Sequence, residues 1–181
     1  MPKDRIEIET DGMPNRMNTH LSSTQFNIWY HLGLAYYLKG DFESALSAYK
    51  ECLKVSVNDD LQSATVDWLY MTLRRLNRQD EANQALAAIH KDMAIIENDS
   101  YFRRLLMYKG DLPVDSVLNV SEGNGDIDLA LATQGYGVGN WYLCNGDTIN
   151  AKNIFQQVVS GSQWSAFGYI AAEADLARLS K

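Results

Sequence analysis

The sequence predicts an all-α chain, a superhelical array of about four helical hairpins followed by a carboxy-terminal capping helix, with no sheet. Three observations carry that expectation. Residues that tolerate a left-handed backbone recur at Gly40, Asn77, Gly110 and Gly146, separated by 37, 33 and 36 residues. The stretches flanking each of them carry apolar residues at helical spacing. Five residues past three of these turns stands an alanine, Ala45, Ala82 and Ala151, where two helices would pack closely. Units of this kind pack only on their neighbours, so the array is one elongated body without a single central core.

Taken in order, residues 1–24 read as an extended polar leader, with Asp11-Gly12 and no sustained helical period. Ser22, Ser23 or Thr24 can cap the first helix, predicted over about Gln25 to Leu38, and Asp41 can cap its partner over about Phe42 to Val55. Phe26, Trp29, Leu32, Gly33 and Tyr36 are expected to face that partner, which turns Ala45, Leu46, Tyr49, Cys52 and Leu53 inward. The units are expected at about 25–59, 60–96, 97–125 and 126–161, with the capping helix in 162–181. Asn58-Asp59-Asp60 opens the second unit, whose RQDEANQALAAIH stretch repeats the second helix of the first. In the third unit Asp115 replaces the small packing residue, which predicts a short second helix, and Ser121 to Gly125 is expected to be a flexible loop. The fourth unit repeats the first closely: Gly139, Tyr142, Gly146-Asp147, Ala151 and Phe155 reproduce the offsets of Gly33, Tyr36, Gly40-Asp41, Ala45 and Tyr49.

Trp29, Leu32, Gly33, Tyr36, Gly40, Ala45 and Tyr49 resemble the consensus of a tetratricopeptide repeat, a helix-turn-helix unit of roughly 34 residues. The resemblance implies a right-handed superhelix that binds a partner along its concave face. The longer strings FNIWYHLGLAYYLKGDF, DWLYMTLRRL and WSAFGYIAAEADLARL resemble the carboxy-terminal half of a family of bacterial tetratricopeptide proteins. Some members are exported and begin with further repeats, so the resemblance implies a chain that starts partway into a longer array. Compartment stays open, cytoplasmic or exported after removal of a leader.

The formal net charge of −7 argues against a general nucleic-acid or membrane-surface binder, since both need a basic footprint. No apolar run reaches the roughly 18 to 20 residues of a membrane span. Cys52 and Cys144 lack the spacing of a metal site and lie on the apolar phase of their helices, so both are expected reduced and buried. His20, His31 and His90 form no helical metal pair, and no metal or cofactor is expected. Gly135-Tyr136-Gly137-Val138-Gly139 has the glycine content of a phosphate loop. No strand precedes it and no Lys-Ser or Lys-Thr pair follows, so close helix approach is the expectation.

The function expected is a non-catalytic protein-interaction scaffold that holds a peptide or partner protein in its concave groove. The candidate partner-binding residues are Tyr30, Leu34, Tyr37, Met71, Arg75, Arg104 and Tyr108, all on the first helices of their units. Tyrosine there offers contact area with a polar tip. Arg75 and Arg104 would come onto neighbouring rods and grip one carboxylate, so the partner expected carries an acidic or carboxylate end. Pairing of these arginines with Asp67, Glu97 or Asp99 is the plain alternative. A second reading is homo-oligomerisation through an open first hairpin exposing edges of Phe26 and Trp29. The third is an enzyme with a cysteine-histidine site.

Overall fold

The computed structural model describes residues 7–8, 15–119 and 127–180. Among them four antiparallel pairs follow one another: α1 (Thr24–Lys39) with α2 (Phe42–Lys54), α3 (Asp59–Arg75) with α4 (Gln79–Ala85), α5 (Asp99–Tyr108) with α6 (Val114–Leu118), and α7 (Ile127–Cys144) with α8 (Thr148–Ser160). A last helix, α9 (Phe167–Arg178), lies against α7 and α8. The described residues form no strand beyond an isolated bridge between Ile8 and Ser23. The loop expected at Ser121 to Gly125 and most of the leader lie outside the described residues.

Local chemistry explains where the helices start and stop. The four turn residues all have positive φ: 80° at Gly40, 58° at Asn77, 80° at Gly110 and 86° at Gly146. Ser23 accepts a hydrogen bond from the Phe26 amide (3.1 Å), Asp41 from Ser44 (3.1 Å), Asn58 from Leu61 (2.9 Å) and Asp147 from Asn150 (3.0 Å). Each side chain thereby satisfies an amide that the helix itself leaves unpaired. At Gly33 and Gly139 a Cβ would stand 2.6 Å from the Tyr49 ring and 2.5 Å from the Phe155 ring, so glycine is what lets α1 reach α2 and α7 reach α8. That is the close approach expected of the glycine-rich run, not a phosphate loop.

Two expectations need correction. The second helix of the second unit stops at Ala85, continues as a 3-10 turn over Leu86–Ala88, and gives way to irregular chain up to Asn98. The cause lies in the first turn of α3. The buried Asp60 carboxylate accepts from the amides of Ile96 (2.9 Å), Glu97 (2.9 Å) and Asn98 (2.8 Å), and Asp59 from Ala94 (2.6 Å), which satisfies backbone that would otherwise require a helix. Ile89 and Met93, within this stretch, are buried. The second correction concerns α1. Leu32 is 36% exposed and Trp29 and Tyr36 are only half-buried, whereas Tyr30, Leu34 and Tyr37 are buried. The face expected to line an open groove is the more deeply buried one.

The reason is how the array closes. The first helices pack in succession, α1 on α3, α3 on α5, α5 on α7 and α7 on α9, and α9 returns to α1 while α3 also touches α7. The inner helices therefore converge on one another. α3 lies at the centre, with Leu61, Val66, Trp68, Met71 and Leu73 all buried.

Candidate functional site

The inner face is built by one residue or a few from each converging helix. Arg75 ends α3, and its guanidinium forks onto Asp175 of α9, Nη2 donating to Oδ1 at 2.6 Å and Nη1 to Oδ2 at 3.1 Å. Nη1 also stands 3.1 Å from Asn140 Oδ1 on α7. The Tyr136 hydroxyl, one helical turn earlier on α7, gives its proton to Asp175 Oδ2 at 3.0 Å. Tyr37 of α1 closes the circuit, its hydroxyl 2.8 Å from that of Tyr136 and 3.2 Å from Asn140 Oδ1. Arg178 donates to Asp175 Oδ1 at 2.8 Å and also to the carbonyl of Leu38, tying α9 to the end of α1. Burial pulls the Arg75 pKa down, but the oxygens of Tyr37, Tyr136 and Asp175 outweigh it and hold the guanidinium above its ordinary value. It stays a cation. Burial likewise raises the Tyr37 and Tyr136 hydroxyls, which stay protonated.

A second ion pair lies deeper. Arg104 of α5, fully buried, bonds Asp67 of α3 and the Thr133 carbonyl (2.6 Å), and its guanidinium stacks 4.9 Å from the centre of the Tyr101 ring. Gly137 makes room for it, since a Cβ there would run into the arginine stem. Burial pushes the Asp67 carboxyl up to about 6 in spite of Arg104.

The seven candidate residues thus share one interior but not one ligand. Tyr30 meets the Tyr101 hydroxyl at 3.1 Å and stacks on Phe26; Leu34 and Met71 fill space; Tyr108 stacks on Tyr70 with ring centres 4.3 Å apart. Arg75 and Arg104 do not converge on one carboxylate, because each already holds its own aspartate. Asp67 was among the expected partners of Arg104. Asp175, Tyr136 and Asn140 were not foreseen, and the signal available was an acidic residue on the small-residue face of the last helix. Of the two cysteines Cys52 is buried and Cys144 only half-buried, and both are free.

Residues 26–59, which take in most of α1, all of α2 and the turn into α3, match the family model of the tetratricopeptide repeat. The first hairpin is similar to a tetratricopeptide repeat. The array that it opens is a tetratricopeptide-like helical repeat, nearly all helical, with successive helices packed together. No curated protein and no solved structure matches the sequence. A tetratricopeptide repeat carries a protein-interaction role in general, and its family consists mostly of non-catalytic scaffolds. No helix among the described residues is long and apolar enough to cross a membrane.

Proposed function

We propose that this chain is a non-catalytic scaffold that holds a peptide or partner-protein segment on the inner face of its helical array, and that Arg75 reads a carboxylate on that segment. The observation that carries the reading is the Arg75 fork. A guanidinium bound through two parallel N–H groups is the most selective carboxylate reader among side chains, and it sits on the inner helix that follows the hairpin similar to a tetratricopeptide repeat. Tyr30, Leu34, Tyr37 and Met71 are buried in the closed array, so in this reading they become contact surface around the fork only when the inner face opens, with Arg104 and Tyr108 beneath them. The test is binding of the full chain to a peptide library synthesised in matched pairs with acidic and amidated ends. The reading expects acidic members to bind more tightly, with the preference shrinking as salt rises. Equal binding of both members of each pair would contradict it.

Self-assembly has an observation of its own. Phe26 is buried and Trp29 half-buried, so the edges first expected to drive association are covered. Ile28 and Leu32 are instead exposed by 47% and 36%, one turn apart on α1. Adjacent exposed apolar residues favour association. Light scattering across a concentration series decides it: a strict monomer at high concentration rejects this second reading.

A further inference from the structure

α9 packs on α7 and α8 and also returns to α1. It is reached through residues 161–166, an irregular connection in which Trp164 is 74% exposed. Toward α1 it makes a ring contact between Phe167 and His31, with centres 5.6 Å apart, and the bond from Arg178 to the Leu38 carbonyl. Its inward stripe is Gly168, Ala171, Ala172 and Asp175, all buried, at spacings i, i+3, i+4 and i+7. That is the anchor pattern of a helix lying in a groove. Gly168 rests against the Ala132 backbone, so nothing larger fits there. The stripe ends in an aspartate that is 0% exposed and bonded to Arg75, Tyr136 and Arg178. A buried ion pair is a poor way to fasten a helix, because desolvation offsets most of the attraction and an apolar pair of similar volume fastens as well. The best-attested use of such a pair is to fix which arrangement or partner is chosen.

We propose that α9 is an internal occupant of the partner site: a helix with small residues at i, i+3 and i+4 and a carboxylate at i+7 binds this protein by displacing α9 and placing its own carboxylate in the Arg75 fork. The inference rests on the scaffold reading and adds that the site is filled by the chain itself. A tethered helix competes at an effective concentration on the order of millimolar. Apparent affinity for an external helix falls by the fraction of time the site is empty, so a seat open about 1% of the time weakens binding roughly 100-fold.

The probe is a fluorescein-labelled peptide of residues 164–180, with an Asp175→Asn version as control, titrated into the full chain by anisotropy. The receptors are the wild type and the double variant Phe167→Ala/Arg178→Ala, which loosens α9 from α1 and leaves Arg75 and Tyr136 untouched. The double variant is expected to bind the peptide at least tenfold more tightly than the wild type and to prefer the aspartate peptide at least tenfold over the asparagine one. Concentration-dependent dimerisation of the double variant, suppressed by the peptide, also supports the proposal, because a second copy's α9 then takes the same seat. Equal binding to both receptors, or equal binding of both peptides, overturns it. Hydrogen exchange on the wild type keeps the test independent of how the variant folds. The α9 amides are expected to exchange at least tenfold faster than those of α3 and α7, and faster still when excess peptide takes the vacated seat; exchange of α9 only together with α3 overturns the proposal. A fixed α9 overturns this inference alone, whereas an α9 that opens and a chain that then binds no helix at all overturns the scaffold reading as well.

Discussion

Arg75 and Asp175 stand one hundred positions apart in the chain and meet through two hydrogen bonds, of 2.6 and 3.1 Å, in the interior of the helical array. The Asp175 side chain is 0% exposed and that of Arg75 13%. Removing Asp175 leaves the Arg75 cation without a counter-charge, at a cost of about 3 to 5 kcal/mol, whereas removing Arg75 leaves Asp175 still bonded to Arg178 and Tyr136 and costs less. Asp175→Ala is expected to lower the denaturation midpoint strongly, and Arg75→Ala to lower it less. Arg75→Met with Asp175→Leu should recover most of that loss. Urea unfolding of the three variants checks this, and additive losses in the double variant would contradict it.

Close helix approach gives the second prediction. A Cβ at Gly168 would meet the backbone of Ala132 and Thr133, which cannot swing aside, while one at Gly33 would meet the ring of Tyr49. Overpacking costs about 1 to 3 kcal/mol, against a helix-propensity gain of about 1 kcal/mol for alanine. Gly168→Ala is therefore expected to destabilise by up to about 2 kcal/mol and more than Gly33→Ala. Thermal unfolding that ranks the two in the opposite order would contradict the packing account.

The third concerns pH. Burial lifts the Asp67 carboxyl to about 6 in the folded chain, against about 3.9 when unfolded. Between about pH 4 and 6 the folded protein keeps a proton that the unfolded chain has lost, so lowering the pH through this window favours folding. Below it, Asp41, Glu81 and Asp92, whose carboxyls are lowered by hydrogen bonds, reverse the trend, since their contribution is lost as pH falls through their folded values. The wild-type Tm is expected to gain on that of Asp67→Asn as the pH drops from 7 to 5. A Tm difference that stays constant over that range would refute the assignment.

Thiol chemistry gives the fourth. Burial pushes the Cys52 thiol up to about 11 and Thr65 Oγ1 lies 3.3 Å from its sulfur, whereas Cys144 is half-buried. A maleimide is expected to label one thiol in the native state, Cys144, well before the other. Mass spectrometry after limited labelling identifies it, and prior modification of Cys52 would contradict the placement.

Much of the fold was legible because its determinants are local. The turns at Gly40, Asn77, Gly110 and Gly146, the caps Ser23, Asp41 and Asn58, and the pairing of Gly33 with Tyr49 each depend on residues within about twenty positions of one another. The early end of α4 was not legible, because it follows from Asp60 reaching Ile96 to Asn98, beyond the span of a periodicity argument. The make-up of the inner face was legible in composition, and its geometry was not. Tyr30, Leu34 and Tyr37 do lie on the inner face, and Arg75 does hold a carboxylate, but that carboxylate belongs to α9. Whether an array leaves a groove or closes it depends on small rotations accumulated over successive units, which no single unit encodes.

Closure of the array, with α9 returning to α1, is the claim on which the rest depends. The direct measurement is a nuclear Overhauser spectrum of the full chain with selectively labelled aromatic rings. His31 and Phe167 have ring centres 5.6 Å apart in an edge-on arrangement at 73°, so cross-peaks between their ring protons are predicted. Their absence, with the His31 ring showing contacts only within α1 and its neighbours α2 and α3, would contradict the closed array.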